Sequence, residues 1–357
     1  MSSISQSFPQ TIRLGYVPLV DAAPLIIAKE LGFFQEAGLN VELVREPGWA
    51  SVRDKLVMGS ELEGAHALAG LAFALNYGIG CLPSPCLTGL VLNENGNGLT
   101  ISKELYQRGV TSQNVVQPGL RGLGGRILRI AIVHSASSHH YLVHHLMTKA
   151  GLQMDSDVEL VTLPPELMPQ ALASGNIDAF SAGEPWNSVA TQGFEGFCLT
   201  TSRELHLNHP EKILLVRKSF AEERPEEHAL LIRATLRGCQ FCAETQNSSQ
   251  VARVLSSPSY LGIPVAILQN SLLSSYQRGQ GVKANIYCPL HTFFGDQVNR
   301  PSTDGGNVIL NQLNICGVIP QSRATDTSPI TRVSDIFRGD LFDDATNPTT
   351  DPCQAIA

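Results

Sequence analysis

Short runs of alternating apolar and polar residues recur along the chain, each followed by a stretch with helical spacing. Residues 11–17 (TIRLGYV) open the series as a strand, and Asp21 is placed to cap a helix that runs to Leu31. Residues 41–44 (VELV) form a second strand, 64–68 (GAHAL) a third and 87–92 (LTGLVL) a fourth. Helices fit between them, from about Ser51 to Met58 and from the end of the third strand to Tyr77. That order is the order of a doubly wound parallel α/β sheet.

The Gly/Asn loop 93–98 (NENGNG) then reads as a hinge. Residues 105–125 are expected to form a helix and a Gly-rich loop, and residues 129–133 (RIAIV) start a second β-α-β series. A helix over 141–150 and a strand over 158–163 follow, and Pro164-Pro165 leads into a helix that ends at Ser174. Residues 176–180 then form a short strand that closes at Gly183 and hands over to Glu184-Pro185-Trp186-Asn187. Residues 211–216 return the chain to the first unit, and a long helix runs from Ala221 to Leu236 and on to Glu244. The predicted organisation is an N-terminal tail (1–10), a first lobe from 11–101 and 206–330, a second lobe over 102–205, and a polar tail over 331–357, disordered from 345 onward. Two α/β lobes joined by strand crossovers make a clamp whose ligand cleft lies between the lobes.

Composition narrows the function. The 357 residues carry a formal net charge of −7, with 43% hydrophobic and 16% charged residues. An acidic chain without a basic stripe is no general nucleic-acid surface. The first ten residues hold no Lys or Arg and no apolar core of a secretory signal, so a cytoplasmic location is expected, and a periplasmic one if a leader is missing. The eight cysteines are expected as buried thiols, Cys239 and Cys242 included, since no second CxxC pair stands at zinc spacing. His139-His140 and His144-His145 invite a metal reading, but no third ligand completes it, and a polar helix start is favoured. No nucleophile elbow, phosphate-binding loop or HExxH occurs, and Gly122-Leu123-Gly124-Gly125 precedes a strand instead of following one. The chain is therefore expected to be a binding protein without a cofactor, not an enzyme.

Ligands of open α/β sheets sit beyond strand C-termini. Trp49, the Asn95/Asn97 loop, Ser137-Ser138-His139, Pro165, Ala182-Gly183-Glu184 and Lys212 all fall there or at a crossover. One Lys, one His, an amide and an indole N–H form a donor-rich set suited to a small oxyanion. Glu184 is expected to keep Lys212 charged and to approach it across the closed cleft. The competing readings are a core Trp and a solvated loop Lys.

Several stretches resemble the NrtA/CmpA family of nitrate- and bicarbonate-binding proteins: residues 14–21 (LGYVPLVD), 45–54 (REPGWASVRD), 64–66 (GAH), 175–180 (GNIDAF), 183–187 (GEPWN) and 209–212 (HPEK). The likeness covers about residues 11–300. It implies a two-lobed periplasmic-binding-protein clamp of type II. It also implies an anion site at Trp49, Asn97, His139, Pro165, Ala182, Gly183 and Lys212, with Ser138 and Glu184 in support. Asn97 stands where the family has Gln, and Ser137-Ser138 where it has Gly-Thr. A bicarbonate protein of the family also uses calcium, for which no carboxylate cluster is evident. Within the family, a chain without a leader resembles NasS, the nitrate/nitrite sensor that holds the RNA-binding antiterminator NasT. The alternative is the substrate-binding component of an ABC transporter, with a permease as partner. An enzyme like the thiamine-pyrimidine synthases, which share the fold, needs a CCCFC stretch that Cys239-Gln-Phe-Cys242 does not match.

Overall fold

Two mixed sheets with the same strand order carry the chain, as seen in a computed structural model that describes residues 10–111, 126–272, 276–279, 282–283, 289–319 and 332–347. The first series is β1 (Ile12–Tyr16), α1 (Ala23–Glu30), α2 (Phe33–Glu36), β2 (Val41–Arg45), α3 (Trp49–Met58), β3 (Gly64–Leu68), α4 (Ala69–Tyr77) and β4 (Cys86–Asn95). Then come β5 (Asn97–Ile101), α5 (Lys103–Gln107), β6 (Leu128–Ile132), α6 (Ser138–Lys149), β7 (Val158–Thr162), α7 (Met168–Ala173), β8 (Ala179–Gly183), α8 (Trp186–Gly193) and β9 (Phe197–Thr201). The chain continues through β10 (Pro210–Arg217), α9 (Lys218–Glu223), α10 (Pro225–Ala243), α11 (Ser248–Leu255), α12 (Val265–Leu272), β11 (Gln277–Gly279), β12 (Val282–Lys283), β13 (His291–Thr292) and α13 (Thr303–Ile315). The first sheet runs β13-β4-β10-β3-β1-β2 and the second β7-β6-β8-β5-β9.

Each sheet is a parallel βαβ series with one antiparallel strand inserted, and β13 adds a second antiparallel strand at the edge of the first sheet. β10 lies antiparallel between β3 and β4, and β5 antiparallel between β8 and β9. The inserted strands are the crossovers. Sheet membership changes at Gly96, between β4 and β5, so β5 belongs to the second sheet and the change does not wait for residue 102. Gly96 has φ +96°, a conformation that only glycine takes at low cost. An alternation pattern cannot show which neighbour a strand chooses, and so it predicted four adjacent parallel strands where β10 intervenes.

An inserted antiparallel strand begins where its parallel neighbours end. Lys212 therefore pairs with Leu68 at the end of β3 and with Asn93 near the end of β4. Asn97 likewise pairs with Gly183 at the end of β8. The first residues of both crossovers are thus delivered to the ligand-side edges of the two sheets.

The lobes touch. The Val20 N–H donates to the Glu184 carbonyl at 2.7 Å, and the Trp186 indole donates to the Pro18 carbonyl at 3.2 Å. Arg45 pairs with Glu166 at 3.3 Å on the exposed rim. A Cβ on Gly70, in the first turn of α4, would lie 2.3 Å from the Ala136 carbonyl oxygen of the second lobe. α13 packs on both α4 and α6 and straps the lobes together.

The expected polar tail is partly core. Ile336, Phe337 and Ala345 are buried, and Phe337 bridges to Thr88 of β4. Two short helices, Val333–Ile336 and Gly339–Thr346, complete this packing, and residues 348–357 lie outside the described residues. So does the Gly122–Gly125 loop. No helix among the described residues is long and apolar enough to cross a membrane. Of the cysteines described, Cys86, Cys198, Cys239 and Cys242 are buried, while Cys81 and Cys316 are half-buried.

Candidate functional site

Lys212 is wholly buried, and its ammonium lies 2.8 Å from Asp21 Oδ2 and 2.8 Å from Glu211 Oε1. Burial alone would lower its pKa, but the two carboxylates outweigh that and raise it, so the side chain is a fixed cation. Asp21 follows β1 in a short 3-10 turn, Val20–Ala22, and its other oxygen lies 2.7 Å from His66 Nε2. It is therefore no helix cap but the counter-ion of the site. Burial pushes the Asp21 carboxyl up, and Lys212 and His66 more than reverse this, leaving it well below the usual range. Glu211 behaves alike: burial raises it, while Lys212, His139, His209 and Asn97 hold it down at about 2. Two carboxylates and one ammonium leave the triad with one net negative charge.

Trp49 opens α3 directly after β2 and is 1% exposed. Its ring lies 5.8 Å from the Lys212 ammonium and 5.4 Å from the His66 ring. Its indole N–H has no hydrogen-bond partner. Trp49 is thus both a core residue and a neighbour of the lysine, which merges the two readings of its position.

The second lobe supplies an amide–imidazole chain. Asn97 Nδ2 donates to Ser138 Oγ at 3.1 Å, and Asn97 Oδ1 meets His139 Nε2 at 2.8 Å. Ser138 Oγ in turn donates to Glu211 Oε1 at 2.8 Å, a bond between the lobes. With Asn97 Oδ1 as acceptor, His139 Nε2 carries the proton, and Nδ1 is a bare lone pair without a partner. Burial lowers the pKa of His139 to about 4, with Glu211 opposing and Lys212 assisting, so the ring is neutral near pH 7. His66 is also lowered, by burial foremost. His66 Nε2 faces Asp21, and its Nδ1 is likewise unpartnered.

Gly183 closes β8 against this cluster. A Cβ there would lie 3.4 Å from Asp21 Oδ2 and 3.6 Å from Asn97 Oδ1. Ala182 is fully buried, and its carbonyl accepts from Asn187 Nδ2 at 2.8 Å. Pro165 is buried at the head of the turn after β7 and brings only an apolar surface. A small gap of about 10 Å³ lies between α4, α13 and the Ala136–Ser138 turn, beside Glu211, with room for about one water.

Glu184 does not partner Lys212. Its Oε1 accepts from the Tyr276 hydroxyl at 2.9 Å, and its Oε2 from Ser271 Oγ at 2.8 Å and the Ser188 N–H at 3.2 Å. Burial raises its pKa against those hydrogen bonds. The side chain anchors the start of α8 to the α12 region, and Asp21 and Glu211 take the role expected of it. Both were legible as acids inside otherwise apolar or Lys-containing stretches, but spacing could not show that they converge. His66, His209 and His291 were missed for the same reason. His140 Nδ1 sits 3.0 Å from the Ser135 carbonyl, and no metal-holding group of three His, Cys, Asp or Glu occurs among the described residues.

Two sheets of matched strand order, swapped crossover strands and a polar cluster at their meeting edges define a two-lobed solute-binding-protein fold. The crystal structure of the periplasmic nitrate-binding protein NrtA from Synechocystis superposes with a TM-score of 0.87 at 24% identity, over 98% of this chain and 91% of that one. The alkanesulfonate-binding protein SsuA from Xanthomonas axonopodis gives 0.63 at 17% identity, over 89% and 98%. The sequence model of the NMT1-like family matches residues 5–256, and the chain belongs to that family.

Among its relatives, the nitrate import ATP-binding protein NrtC of Synechocystis is 33% identical over 336 residues, which is 94% of this chain and 49% of NrtC. The bicarbonate transport ATP-binding protein CmpC of Synechococcus elongatus is 35% identical over 314 residues, 87% of this chain and 46% of CmpC. The nitrate/nitrite binding protein NrtA of Synechococcus elongatus is 26% identical over 347 residues, 94% and 77%. The chain spans about half the length of the first two.

Proposed function

We propose that this chain is a cytoplasmic nitrate/nitrite sensor. The anion binds between the lobes, and closure controls association with an RNA-binding antiterminator of the NasT kind. The observation that carries the reading is the buried Lys212 ammonium at the meeting point of both sheets, with the unpartnered indole N–H of Trp49 beside it. In this reading Trp49, Asn97, His139, Pro165, Ala182, Gly183 and Lys212 contact the anion. Ser138 links the anion-facing amide to Glu211, and the lobes hinge at Gly96 and between β9 and β10. The likeness to nitrate- and bicarbonate-named relatives supports the ligand class. Calorimetry with nitrate, nitrite and bicarbonate tests it: nitrate or nitrite binds, and Lys212→Ala abolishes the heat. Absence of binding at millimolar anion would sink the reading.

A second reading, a binding component of an ABC anion transporter, is favoured by one observation. The relatives NrtC and CmpC are by name nitrate import and bicarbonate transport proteins. Sedimentation of the purified chain with a NasT-like protein separates the two. A complex that nitrate dissolves supports the sensor, whereas association with a permease supports the transporter component.

A further inference from the structure

Glu211 and Lys212 are consecutive residues of β10, and a regular strand would send their side chains to opposite faces. Here the carboxylate and the ammonium meet at 2.8 Å. The pairing of β10 with β4 shifts register on either side of Lys212, and an irregularity of that kind re-aims a side chain beside a site. Glu211 is buried, and its Oε1 also accepts from Ser138 Oγ of the second lobe at 2.8 Å. His139 and Asn97, two more second-lobe groups, act on the same carboxyl. Its Oε2 has no hydrogen-bond partner and lies 4.0 Å from His209 Nδ1.

Asp21 already neutralises the ammonium from 2.8 Å, and its other oxygen is taken by His66 of the same lobe. A second carboxylate is not needed to keep Lys212 charged. It leaves the cluster with one net negative charge, the wrong sign for an anion site. Asp21 stays within the first lobe, whereas Glu211 reaches from the cation to the donors of the second. A small planar oxyanion held between the lobes would make the same contacts. We propose that the Glu211 carboxylate is a tethered stand-in for the anion: it fills the ligand's place in the empty clamp, and an incoming anion binds by displacing it. Glu211 thereby sets how much anion the clamp needs, because a stand-in lowers the apparent affinity by the fraction of time the place is vacant. This inference rests on the interlobe anion site of the proposed function, but not on nitrate being the anion.

Glu211→Ala deletes Cγ, Cδ and both carboxylate oxygens, which are the heavy atoms of acetate. Calorimetry with acetate and with nitrate compares the native chain, Glu211→Ala and Glu211→Gln, and urea unfolding shows that each variant folds. Acetate is expected to bind Glu211→Ala saturably and at least about ten-fold tighter than it binds the native chain. Adding Lys212→Met should abolish that binding. Nitrate should bind Glu211→Ala about ten-fold tighter than the native chain. Glu211→Gln keeps the shape and drops the charge, and it should bind nitrate several-fold tighter. A folded Glu211→Ala chain that takes up acetate no better than the native chain overturns the stand-in. So does acetate binding that survives the loss of Lys212, which would put the acid elsewhere. Where nitrate binds the native chain, equal or weaker binding to Glu211→Gln also overturns it, since that is the result expected if Glu211 only holds Lys212 in place. This arm decides the matter should Glu211→Ala fail to fold. Acetate binding to Glu211→Ala, with nitrate binding to none of the chains, supports the stand-in and sinks nitrate as the ligand, so the two readings fail separately.

Discussion

Replacing Lys212 by Met isolates the charge logic of the site. Met keeps the length and apolar stem of the side chain and removes only the ammonium. Each of its two ion pairs, at 2.8 Å, corresponds to about 6 kcal/mol of Coulomb attraction at an effective dielectric of about 20. Desolvation of three buried ions offsets most of that gain. What the substitution exposes is the asymmetry: Asp21 and Glu211 remain buried without their cation, and stranding buried charge costs about 3–5 kcal/mol. Urea unfolding at pH 7 should register that loss.

The pH dependence should invert as well. In the native chain Glu211 is held at about 2, so its contribution, on the order of 3 kcal/mol, is present above the ordinary carboxylate range. It is lost as pH falls through about 2. In Lys212→Met burial acts unopposed by the ammonium, the folded state binds more protons than the unfolded one, and stability should rise as pH falls from 7 to 5. A triple variant, Lys212→Met with Asp21→Asn and Glu211→Gln, carries no stranded charge. It should regain most of the lost stability while binding no nitrate. A single variant within about 1 kcal/mol of the native chain, far below the stranded-charge cost, would refute the reasoning if its pH slope were also unchanged. A triple variant that binds nitrate normally would remove Lys212 from the anion site.

Nitrate affinity should tighten as pH falls from 8 to 5, with proton uptake visible as a buffer-dependent heat. An anion beside His139, whose free-state value is about 4, raises the pKa of that ring, and the affinity gain grows until pH passes below the free-state value. Glu211, Lys212, Asp21 and His209 are the charged and titratable groups that act on it, and a pH-independent affinity would exclude this coupling. Gly70→Val places side-chain atoms against the Ala136 carbonyl and should hold the lobes apart. An unchanged radius of gyration and full nitrate affinity would contradict the closed packing. Glu184→Gln should cost about 1–3 kcal/mol by disturbing three buried hydrogen bonds, yet leave nitrate affinity within a few-fold. A selective loss of affinity would return Glu184 to the anion site.

The strands of both lobes were legible as short apolar or alternating runs between turn residues, half-buried in β2 and β7 and buried on both faces in β3 and β8, and the junction at 183–187 because Gly and Pro punctuate it. The swapped partners were not legible. Asn97 to Ile101 alternates equally well in either sheet, and only pairing across eighty-odd residues decides that β5 joins β8. The site divided along the same line. Trp49, Asn97, His139, Gly183 and Lys212 were singled out because each was placed past a strand end or at a crossover, and they gather at one junction. Glu184 was assigned to Lys212 because it lies just past a strand end among the residues expected to face the cleft. In three dimensions its carboxylate turns to Ser188, Ser271 and Tyr276, and Asp21, in the first βα turn, takes its place. Val20-Asp21-Ala22 looked like a helix start because an acid before a helix usually caps it. The clue was an acid in an otherwise apolar stretch.

The arrangement also limits how an anion can act as a signal. A ligand shifts an equilibrium only by its differential affinity for the two states. The closed lobes already share the Ser138–Glu211 bond, the Val20–Glu184 bond and the Trp186–Pro18 bond. In the proposed reading an anion that enters an open form must, on closure, displace contacts among Lys212, Glu211 and the Asn97–His139 pair. One net negative charge at the triad makes that replacement unfavourable unless a proton accompanies the anion. In that reading the liganded closed state differs from the empty one in the protonation of His139. In the proposed sensor, a partner protein then distinguishes a filled clamp from an empty closed one by that difference, and sensing does not require that the empty clamp stay open.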